Sequence, residues 1–325
     1  MRIVSVAVAI VLGFGALAQA APLELKHVAA DAKWVMHLDV DAVRASSVVQ
    51  KGYHKCMEMH KEAAQHLDTV RDMIGMDLRT DLHGITCYGP QVGKRQGVLI
   101  LLADMNQQLL VDKAKLGPDH MVTKYGAYEL HSWTCKKGEK QHHATGVFFT
   151  PKVAVFGGSV EEVKAALDVL SGKSPSLVGK PSALDGDIAP GTTFLHRAID
   201  VGAHTKCPVL KQAQCYRIAT GENKGESFFL ARFSMNTTES ADQVKAILDG
   251  FKALAALKAA SDAEDAKLVD ALKITREDKT LVIQWSASAD AVWAEIEKLG
   301  KKIAECKAKG GTCPLMKHLE GHKKK

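Results

Sequence analysis

The residues best suited to chemistry in this sequence lie between His54 and His66. The segment His54-Lys55-Cys56-Met57-Glu58-Met59-His60 combines thiol, thioether and imidazole groups, which are the ligands that copper and haem iron prefer. On a helix Cys56 and His60 share one face and Met59 lies at its edge, whereas His54 points to the opposite side. The pattern predicts a metal site formed by Cys56, Met59 and His60 with help from another element. The competing prediction is that Cys56 and His60 belong to a buried helix face.

The cysteines provide a second candidate chemistry. The chain contains seven of them, and in an exported protein they predict disulfide bonds. Cys87 and Cys215 are predicted to occupy similar places in the two halves of the chain. Cys56 precedes the first of them and Cys207 precedes the second. Because an oxidised thiol binds no metal, a disulfide at Cys56 would exclude the metal site. The candidate pairs are Cys56–Cys87, Cys207–Cys215 and Cys306–Cys313, with Cys135 left as the free thiol.

The N-terminus is typical of a signal peptide. Arg2 precedes the apolar run Ile3–Ala18, and Ala18-Gln19-Ala20 is a small-x-small cleavage signal before Ala21. The apolar run is short for a bilayer span. These features predict export to the periplasm or the extracellular space, with no transmembrane segment after cleavage.

An internal repeat organises the rest of the chain. Lys152–Leu170 reads as a strand, a Gly-Gly turn and an amphipathic helix, and Leu281–Leu299 repeats this pattern. Ser159 and Glu162 are spaced as a capping box at the start of the first of these helices. Hairpins that are each followed by a helix predict an α+β fold of two related repeats, with antiparallel sheets and helices packed on one face. Whether the two halves share one sheet is left open.

The composition along the chain suggests domain boundaries. The segments are a signal peptide (1–20), a first α+β repeat (21–171), a linker containing Gly, Pro and Ser (172–190), a second α+β repeat (191–308) and a basic tail (309–325).

Three local features are also predicted. A helix over Ala45–Ile74 occurs only in the first half, and Cys135–His143 is predicted to be a polar loop. Asp39 and Asp200, at the ends of the first strands of the two halves, are predicted turn or capping residues.

The sequence resembles a loose group of exported bacterial proteins of unknown function that carry a duplicated α+β unit. The resemblance rests on the strand–Gly-Gly-Ser–helix pattern, its repetition later in the chain and the Ala-x-Ala signal. The resemblance implies export and a duplicated fold. It implies no catalytic residues.

The composition indicates an ordinary globular protein, with 46% apolar and 25% charged residues and a net charge of +6. The sequence contains no GxSxG, HExxH or CxxC motif, and no basic helix with interleaved aromatic residues suggests nucleic-acid binding. We therefore expect a non-catalytic binding or structural protein of the bacterial envelope, without a cofactor. Its Lys-rich C-terminal tail is expected to contact envelope proteins or anionic surfaces.

Two alternatives remain open at this point. One is a copper or haem binding protein that uses the Cys/Met/His helix 54–66. The other is a hydrolase whose site is assembled from distant loops.

Overall fold

The structure, a computed structural model, describes residues 21–308 except residues 61, 94–95, 138–139, 180–181 and 206. The signal peptide and the basic tail that the sequence predicts lie outside these residues. The strands are β1 (Trp34–Asp39), β2 (Leu82–Gly89), β3 (Val98–Ala103), β4 (Met121–Tyr125), β5 (Tyr128–Lys137), β6 (Lys140–Thr150), β7 (Val153–Gly157), β8 (Thr192–Ile199), β9 (Ala213–Asn223), β10 (Glu226–Met235), β11 (Lys273–Glu277) and β12 (Thr280–Ser288).

Helices connect and cover these strands. In this part of the chain no helix is both long and apolar enough to span a membrane. The α-helices are α1 (Val40–Ala45), α2 (Ser47–Met59), α3 (Glu62–Ile74), α4 (Gln107–Lys115), α5 (Val160–Leu170), α6 (Thr238–Ala259), α7 (Ala263–Asp270) and α8 (Ala289–Ala308).

The strands form one twelve-stranded sheet in the order β11-β12-β10-β9-β8-β1-β2-β3-β7-β6-β5-β4. Every pairing is antiparallel, and β1 lies against β8 at the centre, with Val35 opposite Arg197. Outward from this central pair, the order β1-β2-β3-β7 on one side matches β8-β9-β10-β12 on the other. The predicted antiparallel α+β class is confirmed, and the two halves share one continuous sheet.

The two main helix contacts lie on opposite faces of this sheet. Helix α5 packs Val163 and Leu167 into a cluster with Val35 and other buried residues of the first half. Helix α6 packs into a second cluster that contains Leu281. Residues that pair across neighbouring strands have their side chains on the same face. A row of such pairs runs across the sheet from Val35 to Val282, by way of Arg197, Arg217 and Arg232. Val282 therefore shares the face of Val35, and its neighbour Leu281 does not. Leu281 therefore faces the side opposite Val35, and the helices occupy both faces rather than the single face expected.

The predicted single helix Ala45–Ile74 is two helices, α2 and α3, and its first residue, Ala45, is the last residue of α1. Ser46 interrupts it with an extended backbone (φ −66°, ψ 126°) and caps the next helix by accepting a hydrogen bond from the backbone N–H of Val49. His60 ends α2 with φ −129° and ψ 80°. Apolar periodicity predicted one long helix because it does not detect such local breaks.

Two predicted loops are ordered parts of the fold. Within Cys135–His143, Cys135 pairs with His142 across the β5–β6 hairpin, so the segment largely continues these strands rather than forming a polar loop. In the predicted linker 172–190, Leu177 and Leu184 are fully buried in the first core cluster. The polar composition of Cys135–His143 does not indicate strands. In 172–190, two isolated leucines are too few to predict that the segment is buried.

Candidate functional site

The candidate site is a cavity of about 630 Å³ on the face of the sheet that α5 covers. Its size falls within the range of roughly 300–1,000 Å³ that is typical of small-molecule sites. Four elements enclose it: the helix α5, the end of the β2–β3 hairpin, the segment 29–32 that leads into β1, and Ser174-Pro175 after α5. The lining is dominated by small apolar residues, including Ala29, Ala30, Ala32, Gly89, Gly97, Ala165 and Ala166.

Helix α5 forms one wall because its residues at positions i, i+3, i+4 and i+7 face the cavity. These are Glu162, Ala165, Ala166 and Val169. Ser159 begins the helix by accepting a hydrogen bond from the Glu162 N–H (3.2 Å). The Glu162 carboxylate accepts one from the Gly158 N–H (2.7 Å), one residue before the position that a standard capping box predicts. This bond fixes Glu162 at the rim of the cavity.

The β2–β3 hairpin forms the opposite wall. Gly89 allows its end to be compact, since a Cβ atom there would approach Nε1 of Trp34 to 2.8 Å. Trp34 in turn donates a hydrogen bond to the carbonyl of Gln91 (3.2 Å). The backbone N–H of Lys33 donates to the carbonyl of Gly89 (2.8 Å), which fastens the segment before β1 to the hairpin.

The segment 29–32 completes the enclosure. Ala29 forms an isolated antiparallel bridge with Ser176, and the N–H of Ala30 donates to the carbonyl of Pro175 (3.1 Å). The predicted linker therefore supports this wall and contributes Ser174 and Pro175 to the lining.

Tyr88 is a buried polar residue among those that line this site. Its side chain lines the cavity and is 4% exposed, and its buried hydroxyl has no hydrogen-bond partner among the described residues. Burial raises the pKa of Tyr88 above its ordinary value, and the negative charge of Asp31 adds to this effect. Leaving such a group unsatisfied costs roughly 1–3 kcal/mol. The hydroxyl is therefore neutral and without a partner in the described part of the chain, and the surrounding side chains must move for a ligand group to reach it.

The site is electrostatically negative. Asp31 and Glu162 are the charged side chains among its described lining residues. The charge of Asp31 acts on the Tyr88 hydroxyl. A cationic ligand group near this hydroxyl would therefore also be attracted by Asp31.

The predicted metal residues do not form a cluster in the structure. Cys56 is partly buried on α2, Met59 is 66% exposed, and His60 is exposed at the end of the helix. Among the described residues no three His, Cys, Asp or Glu side chains are grouped as metal ligands. The copper or haem site thus remains a sequence prediction for which the geometry supplies no further ligand.

The structure contains no bond between any two of the six cysteines within the described residues, which are Cys56, Cys87, Cys135, Cys207, Cys215 and Cys306. Cys313 lies outside those residues. Cys87 pairs with Met36 two residues before β2 ends, whereas Cys215 pairs with Ile199 near the beginning of the longer strand β9. The two residues are therefore not at corresponding places in their hairpins, although the proposed disulfides themselves remain predictions.

The most enzyme-like cluster of distant residues surrounds His83. Its Nδ1 lies 3.1 Å from the buried carboxylate of Asp41, and its Nε2 lies 3.3 Å from Asp104. Both carboxylates also have a permanent cation, since Arg44 pairs with Asp41 and Lys152 pairs with Asp104. This arrangement is an ion-pair network that joins the ends of β1, β2 and β3.

A second, smaller cavity lies between α4 and the sheet. It has a volume of about 300 Å³ and is lined by apolar residues, among them Trp133 and Phe156. Its buried imidazole, His131, is already hydrogen-bonded to His120 (3.1 Å). Without an unpartnered polar group, it is a weaker candidate than the cavity at Tyr88.

The fold and the cavity define the class: an α+β protein with one twelve-stranded antiparallel sheet and a ligand-sized, acidic-rimmed cavity. Among solved structures, crystal forms I, III and IV of TP0453 each match with a TM-score of 0.44 and with 11%, 10% and 11% sequence identity. The matches cover 86% of this chain and 98%, 99% and 97% of the TP0453 chains. No family model and no curated protein matches the chain. Similarity at this level assigns no function.

Proposed function

We propose that this protein is an exported, non-catalytic binding protein whose ligand is a small amphipathic amine. The observation that carries the proposal is the buried, unpartnered hydroxyl of Tyr88, a residue that lines a cavity with apolar walls. An apolar ligand body would cover the alanine and glycine walls, and burial of apolar area is the main driving force for such binding.

The charge of the site favours a cationic head group. An ammonium group donates hydrogen bonds and has no acceptor, so it can donate to the phenolic oxygen of Tyr88 while Asp31 balances its charge. A carboxylate of the same size would meet Asp31 and Glu162 with like charge. Export of the protein, and contacts of the Lys-rich tail with envelope proteins or anionic surfaces, belong to the same proposal.

Calorimetric titration with primary alkylamines of increasing chain length tests the proposal, with the matching alkyl carboxylates as controls. We expect amine binding that strengthens with chain length, and much weaker carboxylate binding. Tyr88→Phe removes one hydrogen bond and should weaken amine binding about threefold to tenfold. Tyr53→Phe, on α2, is the matched control and should leave binding unchanged. Equal binding of amines and carboxylates, or no amine binding, would contradict the proposal.

Blocking the cavity gives an independent test. Ala165 is an exposed residue of α5 at the cavity, so Ala165→Leu should reduce amine binding without disturbing the core. Ala253→Leu places the same side chain on the exposed surface of α6 and should have no effect on binding.

A further inference from the structure

Ala21, the residue that follows the predicted signal-peptide cleavage site, is built into the fold. Although it lies at the start of the described residues, it is 8% exposed. Its carbonyl accepts a hydrogen bond from Nε2 of the buried His37 (2.8 Å). Because a carbonyl can only accept, Nε2 carries the proton, and Nδ1 of the neutral ring accepts from the Thr86 hydroxyl (2.8 Å).

The sheet provides room for this residue. Ala21 lies against Gly84, where an added Cβ atom would stand 3.4 Å from the Cβ of Ala21. Leu23, two residues further on, is buried in the first core cluster. The segment is therefore fixed in position on both sides of Pro22.

Asp39 is the acidic group at this place. It is directly opposite Gly84 in the β1–β2 register and is 4% exposed. Its carboxylate accepts hydrogen bonds from the backbone N–H of Ala42 (2.8 Å) and from that of Ala21. Burial raises the pKa of Asp39 above its ordinary value, and this effect outweighs the hydrogen bonds from Ala42 and Ala21 and the nearby His37, which favour the carboxylate.

A buried carboxylate is normally paired with a cation. Among the salt bridges of the described residues none involves Asp39, and its titratable neighbours are the buried His37, whose protonated form would favour the carboxylate, and another acid, Asp41. The atom that donates to it, the nitrogen of Ala21, is the one that signal-peptide removal would convert from an amide into an α-ammonium group.

We propose that cleavage between Ala20 and Ala21 creates a buried ion pair between the new α-ammonium group of Ala21 and the carboxylate of Asp39, so that the processed chain has a charge partner that the precursor lacks. In the cleavage, water adds across the Ala20–Ala21 peptide bond, which leaves a carboxylate on Ala20 and the amine on Ala21. This proposal depends on export but not on the identity of the ligand.

A double-mutant cycle tests the ion pair. One axis compares the chain that begins at Ala21 with the same chain extended by Gly-Ser, and the other compares the native Asp39 with the substitution Asp39→Asn. With Asp39 present, the extension should lower the folding equilibrium constant, measured by urea denaturation, by about tenfold or more. In the Asp39→Asn variant the change should be under about twofold. Equal effects in the two backgrounds would overturn the proposal.

A second measurement needs no substitution, so it applies even if the Asp39→Asn variant does not fold. At neutral pH the α-amino group of the otherwise unchanged chain should be acylated about tenfold more slowly than that of a peptide with the sequence of residues 21–28, because it is buried and ion-paired. Equal rates would overturn the proposal. So would N-terminal sequencing of the exported protein that shows a first residue other than Ala21.

Discussion

The carboxylate of Glu222 is bound at the beginning of α2, where it accepts a hydrogen bond from the hydroxyl of Ser46 at 2.7 Å, although the two residues are 176 positions apart. It also accepts from the hydroxyl of Ser47 (2.7 Å) and from the backbone N–H groups of Ser47 (3.0 Å) and Val48 (3.2 Å). A carboxylate at a helix N-terminus is favourable because the first N–H groups have no partner within the helix. Glu222, on β9 in the second half, thus holds a helix of the first half.

Replacing this carboxylate should destabilise the protein. Glu222→Gln retains the shape but loses the charge that strengthens four hydrogen bonds, so we expect a loss of about 1–2 kcal/mol in the free energy of unfolding. Urea denaturation measures the change. Glu226→Gln, an exposed residue across the same turn, is the control and should change stability by less than about 0.5 kcal/mol.

The contribution of Glu222 should also depend on pH. Burial alone would raise the pKa of Glu222, but the hydrogen bonds from Ser47, Ser46 and Val48 outweigh it and hold the pKa below its ordinary value of 4.5. The stabilisation is therefore present above pH 4.5 and is lost as the pH falls through the lower pKa of the folded protein. The stability difference between the wild type and Glu222→Gln should shrink on acidification; a difference that is constant down to pH 3 would contradict this mechanism.

Four partly or fully buried histidines should make the protein less stable in mild acid. Burial lowers the pKa of each of them below the ordinary 6.5, so the unfolded chain takes up protons before the folded protein does. Stability should therefore fall as the pH drops through 6.5. NMR titration of the imidazole protons should give midpoints below 6.5 in the folded protein, and midpoints at or above that value would be the contrary result. The residues are His27, His37, His131 and His196.

Two glycines with the same backbone conformation provide a matched pair for testing packing. Gly191 has φ +77° and Gly225 has φ +78°, so alanine is strained at both, by about 1–2 kcal/mol. A Cβ atom at Gly191 would also collide with the carbonyl of Glu222, whereas nothing lies within 4 Å of one at Gly225. Gly191→Ala should therefore cost at least about 2 kcal/mol more than Gly225→Ala in thermal or urea denaturation. Similar losses would show that the backbone at Gly191 can move away.

Leu177 tests whether the segment between the halves belongs to the core. Leu177 is 1% exposed and its neighbour Val178 is 61% exposed. Leu177→Ala should lower the free energy of unfolding by about 2–5 kcal/mol, and Val178→Ala by less than about 0.5 kcal/mol. If both substitutions have only the smaller effect, the segment acts as a linker, as its composition suggested.

Local signals in the sequence predicted the antiparallel hairpins well, because turn residues and alternating apolar residues act over short distances. Gly126, between β4 and β5, and Asp278, between β11 and β12, are turn residues of this kind. Sheet order was not predictable, since the pairing of Trp34 with Ala198 depends on contacts between distant residues. The register also showed that Cys87 and Cys215 do not correspond, because β9 is longer than β2.

The candidate site gave almost no sequence signal. Its walls are alanines and glycines, which are common everywhere, and its distinctive group, Tyr88, resembles any core tyrosine until its hydroxyl is found without a partner. The spacing of Glu162, Ala165, Ala166 and Val169 on α5 was visible, but small residues on a helix face more often indicate close packing. Only the three-dimensional arrangement distinguishes a cavity from a tightly packed contact.

The central position of β1 and β8 has a consequence for how the chain folds. All strand neighbours within each half are joined by connections inside that half, whereas β1 and β8 must meet across most of the first half of the chain. Contacts between distant residues form slowly because loop closure costs entropy before the contact is gained. We therefore expect the strands within each half to pair first and β1 to pair with β8 last. The hydrogen bond from Ser46 to Glu222 should form only after that pairing. Until then both strands expose unpaired edges, and during this interval the chain is most prone to aggregate.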